Sequence, residues 1–231
     1  VVNIEENAAR QPVNYVLPPG VTRIVDPGQS QITQLNEQSM MMKVVGLQAG
    51  DGRGVYRNTQ LDLRNYKKLQ MWIHAEKLID DVTNLRSGEL SAFVRLGTDV
   101  KSNYYEYEIP LTLTPEGKYN TYSTSDQYAV WPASNFLDLN LQSLVDLKKE
   151  RNMAKNQEGS GVGYGTLYTG RDPNNENNRM AVLGNPSLSD VRVILVGVRN
   201  NSSTTKDGIV WLNELKVTDF ENGGGWAAKA N

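Results

Sequence analysis

Leu69-Gln70-Met71-Trp72-Ile73-His74-Ala75-Glu76 alternates in strict period two, with Leu69, Met71, Ile73 and Ala75 on one side and Gln70, Trp72, His74 and Glu76 on the other. A strand sends successive side chains to opposite faces, so this is the pattern of a sheet with a core face and a more polar face. The rhythm returns twice downstream. In Leu90 to Leu96 the residues Leu90, Ala92, Val94 and Leu96 face inward while Phe93 and Arg95 face outward. In Tyr104 to Leu111 the residues Tyr105, Tyr107, Ile109 and Leu111 oppose Tyr104, Glu106 and Glu108.

Around these three strands the rest of the chain falls into place. Met40-Met41-Met42-Lys43-Val44-Val45 is apolar on both sides, as in a strand held between layers. Leu61 to Tyr66 reads as a tight turn feeding the Leu69 strand, and Val191 to Arg199 and Ile209 to Thr218 read as closing strands separated by the turn-forming Asn200-Asn201-Ser202-Ser203. One helix is expected: Asn140 or Asp138 caps a segment with Leu141, Leu144, Val145 and Lys148 at helical spacing, ending in Lys148-Lys149-Glu150-Arg151, where basic residues suit the helix dipole. Asn156 to Arg179, rich in Gly and Asn, reads as a mobile surface loop. Roughly eight strands with no regular alternation of strand and helix argue for an antiparallel β-sandwich, jelly-roll-like (galactose-binding-like), with one short helix and long polar loops.

The expected organisation is an extended N-terminal arm over residues 1–30, the sandwich over 31–221 and a glycine-rich C-terminal junction over 222–231. Pro12, Pro18, Pro19 and Pro27 break the arm into β-branched pieces such as Val21-Thr22-Arg23-Ile24-Val25. The junction, and a start at Val1-Val2-Asn3, lead to the expectation that this is a piece of a longer chain.

Composition narrows the function. The 231 residues suffice for one sizeable core. A net charge of −2 lacks the basic excess that nucleic-acid or anionic-membrane binding uses. With no cysteine there is no disulfide, thiolate catalysis or sulfur-ligated zinc, and a lone His74 excludes multi-histidine metal sites. No apolar run approaches the ~20 residues of a spanning helix, so this segment is not expected to cross a membrane itself.

The catalytic motifs fail one by one. Gly159-Ser160-Gly161-Val162-Gly163-Tyr164-Gly165-Thr166 lacks both the lysine of a phosphate loop and the third glycine of a dinucleotide loop, and reads as a flexible loop. Asp172-Pro173-Asn174-Asn175-Glu176-Asn177 resembles half a calcium loop, but its glycine is missing and Leu183 stands where the closing glutamate belongs, so it reads as a solvated loop. No Gly-x-Ser-x-Gly elbow occurs. Glu106 and Glu108 share a strand face and would lie near Glu76 and Arg95 if these strands are neighbours; the choice is between a glycosidase-like carboxylate pair and a solvated face with cross-strand ion pairs. The expectation is no enzyme and no cofactor; a structural calcium stays open, with no residues that locate it.

One candidate interaction face remains: Trp72, His74, Phe93, Arg95, Tyr104 and Glu106. Aromatic rings flanked by hydrogen-bonding groups serve three ends: packing under a covering layer, contact with a protein partner, or stacking on a sugar ring.

Several stretches together resemble one family: Leu69 to Glu76; Arg95-Leu96-Gly97-Thr98-Asp99 with Asn103 to Leu111; Ile209-Val210-Trp211-Leu212-Asn213-Glu214-Leu215-Lys216-Val217-Thr218-Asp219-Phe220; and Gly224-Gly225-Trp226-Ala227-Ala228. In order and spacing they are similar to the SprA/Sov family, giant outer-membrane proteins of Bacteroidetes that serve type IX secretion and gliding motility. The resemblance implies a parent β-barrel through which folded cargo leaves, with this chain as a non-catalytic domain at the outer membrane, on its extracellular or periplasmic side. The implied partners are other barrel segments, secretion-system proteins and exported cargo, with no nucleic acid. No catalytic residue comes with the resemblance. The alternative is a carbohydrate-binding module of a cell-surface protein.

Overall fold

In the computed structural model residues 1–21 and 38–220 are described. The Thr22-Arg23-Ile24-Val25 piece of the arm and the glycine-rich junction lie outside the described residues. Among those described the strands are β1 (Val2–Glu5), β2 (Ser39–Leu47), β3 (Gly52–Leu61), β4 (Tyr66–Glu76), β5 (Leu90–Gly97), β6 (Tyr104–Pro110), β7 (Leu137–Asn140), β8 (Tyr168–Asp172), β9 (Asn175–Leu183), β10 (Val191–Asn200) and β11 (Lys206–Phe220), with helices α1 (Thr124–Val130) and α2 (Leu141–Lys155). They form an antiparallel β-sandwich: a five-stranded sheet in the order β1-β2-β11-β4-β7 against a six-stranded sheet in the order β3-β10-β5-β6-β9-β8.

The inward halves of the three alternating strands make the core as the pattern requires. Leu69, Met71, Ile73 and Ala75 of β4 meet Leu90, Ala92, Val94 and Leu96 of β5 and Tyr105, Tyr107 and Ile109 of β6, all buried. Helix α2 plugs one end of the interior with Leu141, Leu144 and Leu147. Asn140 caps it, its side-chain oxygen accepting from the Gln142 amide at 3.0 Å, and the helix runs one turn past the basic run to Lys155.

Four expectations need correction. The stretch Asn156 to Arg179 is not one loop, because its second half is the β8–β9 hairpin. The half calcium loop is the turn of that hairpin, and its Asp172 is buried rather than solvated, accepting a 2.5 Å hydrogen bond from the Tyr107 hydroxyl. Burial, then that bond, push the Tyr107 phenol well above its ordinary value. A second helix, α1, exists beside the expected one; Ser123 caps it by accepting from the Asp126 amide. Finally, the described residues form eleven strands rather than roughly eight, and the turn after Asn200 carries the chain from the six-stranded sheet to the five-stranded one.

Candidate functional site

The sandwich has two outer faces, and the candidate residues divide between them. Trp72 and His74 stand on β4 and face outward from the five-stranded sheet. Phe93, Arg95, Tyr104 and Glu106 stand on β5 and β6 and face outward from the other sheet. The whole core separates the two groups, so they form no common face, and Glu76 lies far from Glu106 and Glu108. Period-two alternation says which side of its own sheet a residue occupies, but not which sheet owns the strand.

Outside the five-stranded sheet lies a third layer. Val13, Tyr15 and Val16 of the N-terminal arm join Val130 and Trp131, at the end of α1, over Ile209 and Trp211 of β11. The Trp131 indole N–H donates to the Val16 carbonyl at 2.7 Å, and Asn14 exchanges two hydrogen bonds with the Tyr119 backbone. His74, with no exposed surface, stacks on Trp211 with ring centres 3.8 Å apart, and its Nδ1 lies 2.7 Å from the Val130 carbonyl, which makes Nδ1 the donor. Arg10 reaches in from the arm between two buried carboxylates, Glu5 at 2.8 Å and Glu76, and its guanidinium sits 5.1 Å from the Trp211 ring centre. A buried carboxylate persists only when paired, and Arg10 supplies that pairing for Glu76. Trp72 is half-buried against Phe136, 4.4 Å between ring centres.

Outside the six-stranded sheet the strand register lays out rows of side chains. One row reads Gly54, Gly197, Phe93, Glu108, Arg179, Arg171, from β3 across to β8. The next holds Tyr56, Leu195, Arg95, Glu106 and Ala181. Phe93 lies flat over glycines: a Cβ at Gly197 would collide with its ring, and one at Gly52 would crowd it at 3.3 Å. Arg95 covers Tyr104, 4.1 Å from guanidinium carbon to ring centre, and Arg199 covers Phe93 at 4.6 Å. Both rings are thereby hidden, at 4% and 5% exposure for Phe93 and Tyr104.

Three arginines hold two glutamates on this face. Glu106 accepts from Arg95 at 2.7 Å, Arg179 at 3.1 Å and Arg199 at 3.0 Å. Glu108 accepts from Arg179 at 2.5 Å, from Asn201 at 2.9 Å, and from Arg199 and Ser91. Burial alone would raise the Glu108 carboxyl, but hydrogen bonds from Ser91 and Asn201 and the charges of Arg199 and Arg179 outweigh it and hold the carboxyl below its ordinary value. A carboxyl kept ionised this way is a fixed anion rather than a proton donor. Beside Glu108 a hollow of about 530 Å³ opens, walled by Leu167, Arg171, Asn177, Arg179, Arg199 and Asn201.

Sequence reading found Arg95, Glu106 and Glu108 and missed their partners. Arg179 was hidden in a stretch that looked like loop, and Arg10 in an arm without periodicity. Arg199 was findable, because it continues the outward set Leu195 and Gly197 at period two on β10.

Among the described residues no helix is long and apolar enough to cross a membrane, which says nothing of crossing by strands, and no three His, Asp or Glu side chains gather as metal ligands would. Among curated proteins no sequence matches the chain. One family does match, along the full length of residues 1–231, and the chain accordingly belongs to the SprA_N family, described as motility related/secretion protein.

Proposed function

We propose that this chain is a non-catalytic structural and protein-interaction domain of a giant outer-membrane export channel, serving type IX secretion and gliding motility. Membership in a motility and secretion family supports the setting. The observation that carries the role is the arginine–glutamate lattice on the outer face of the six-stranded sheet. Its ionisable groups are spent on one another, which favours a rigid charged surface over acid–base chemistry. Half-buried arginines in such a lattice are the residues that protein interfaces favour. Sugar stacking needs a bare ring, and the candidate rings Phe93 and Tyr104 lie beneath guanidinium groups, so neither offers a pyranose a face to stack on.

In this reading the partners are other segments of the parent barrel, secretion-system proteins and exported cargo. The domain sits in the cell envelope at the outer membrane and needs no cofactor. The test is crosslinking mass spectrometry on intact outer membranes carrying the full-length parent, with the exposed Lys67, Lys101 and Lys216 as reporters. Crosslinks from these lysines to distant barrel segments or to secretion proteins are expected. Crosslinks confined to residues 1–231 would sink the proposal.

A further inference from the structure

The charge on the outer face of the six-stranded sheet does not balance. Among the described residues Arg95, Arg171, Arg179 and Arg199 stand there with only Glu106 and Glu108 to answer them. Three of the arginines share the two carboxylates, and Arg171 is left over. It stands directly opposite Arg179 across the β8–β9 pair, where like charges repel. Among the described residues its guanidinium makes a single long hydrogen bond, 3.4 Å to the Asn177 carbonyl, although the group carries five donors. Its sequence neighbour Asp172 is turned inward to Tyr107, and among the described residues Glu176, at the start of β9, forms no ion pair with it.

Three further features surround this surplus charge. The hollow of about 530 Å³ opens beside it. Leu167, 44% exposed, and Pro110 give the hollow apolar walls. Strand β8, which carries Arg171, is the last strand of its sheet among the described residues, so its outer edge offers backbone groups to an added extended strand. A carboxylate placed opposite Arg171 would take its free donors as a charge-assisted pair and relieve the repulsion with Arg179.

We propose that this hollow, with Arg171 at its rim and Arg179 behind it, docks an extended acidic segment of a protein partner, alternating carboxylate and apolar side chains along the edge of β8. This deepens the protein-interaction reading and rests on it. A protein segment is favoured over an acidic sugar because the hollow presents no bare aromatic ring for a pyranose to stack on.

The test is fluorescence anisotropy of the 231-residue chain with a labelled peptide of alternating Glu and Val, against the same peptide with Gln for Glu. The expected result is saturable binding of the Glu peptide, weakened about tenfold by Arg171→Glu, by the Gln replacement, or by raising salt from about 0.05 to about 0.5 M. Arg171→Ser, which removes charge without reversing it, is expected to fall between, with the unfolding temperature unchanged in both variants. Equal binding of the two peptides, no binding of either, or binding indifferent to Arg171 would overturn the proposal. So would an oligo-uronate that binds through Arg171 where the peptide does not. Crosslinks to secretion partners that persist in Arg171→Glu membranes would leave the broader function standing and remove only this site.

Discussion

The two outer faces of the sandwich start from the same kind of letters and end as different materials. On β4 the outward set is Gln70, Trp72, His74 and Glu76, and on β5 and β6 it is Phe93, Arg95, Tyr104, Glu106 and Glu108. Each mixes aromatic with ionisable residues. The first became a dry second core, because an arm and a helix end brought Val13, Tyr15, Val16, Val130 and Trp131 over it. Among the described residues the second has no such layer and is covered by its own long side chains, with guanidinium groups lying over rings. What settles the fate of a polar strand face is therefore the covering segment, supplied from elsewhere in the chain, and not the composition of the face itself.

The comparison breaks hardest at Trp211. This fully buried ring touches Tyr15, Trp131 and His74, with centroids between 3.8 and 5.9 Å. Trp211→Ala is expected to cost about 3–5 kcal/mol and to expose residues 8–21 to limited proteolysis, read from urea midpoints and digestion maps. If the arm stays protected, the third layer does not depend on this stack.

Arg10 comes next. Arg10→Ala leaves Glu5 and Glu76 buried without their cation, an expected loss of about 3 kcal/mol. Adding Glu76→Gln should recover part of it, and a double-mutant cycle over the pair measures how much. Strictly additive effects would mean that the two residues are not coupled.

The smallest effect sharpens the other face. Glu108→Gln removes the charge that Arg179 and Arg199 share, with an expected cost of about 1–2 kcal/mol at pH 7. The folded carboxyl is held below its ordinary value of 4.5, so its contribution is fully present above that value and is lost as pH falls through the lower folded value. Thermal unfolding of wild type and variant should differ at pH 7, begin to converge as the pH drops below 4.5, and meet only below the lower folded value. A gap that stays constant with pH would assign the effect to packing rather than charge.

These contrasts also show how far the sequence could be read. The strands β4, β5 and β6 were legible because one face of each is continuously apolar, and α2 was legible from its cap Asn140 and its leucine spacing. The hairpin β8–β9 was not, because polar residues occupy inward positions: Asn178 and Asp172 both bond the buried Tyr107 hydroxyl, so no apolar alternation marks the strands. Helix α1 has seven residues and buries only Val130, too little for a periodic signal. Two of the six candidate residues, Trp72 and His74, stand on the other sheet for a topological reason. Pairing β4 with β11 and β5 with β10 depends on contacts far apart in the chain, and local patterning carries no record of them.

The strapping arm has a consequence for the order of assembly. Val16 meets the Trp131 indole across 115 residues, and the Tyr15 hydroxyl meets Asn213 across 198. A chain that emerges from one end first therefore holds its earliest segment idle until β11, its last described strand, is in place. Closing loops of that length is slow, and the apolar residues of the arm stay uncovered meanwhile. The second core is expected to be the final seam sewn and the first to part: a pull on the segment before β1 loads the β1–β2 pairing and the Arg10 clamp before it reaches β4, β5 or β6.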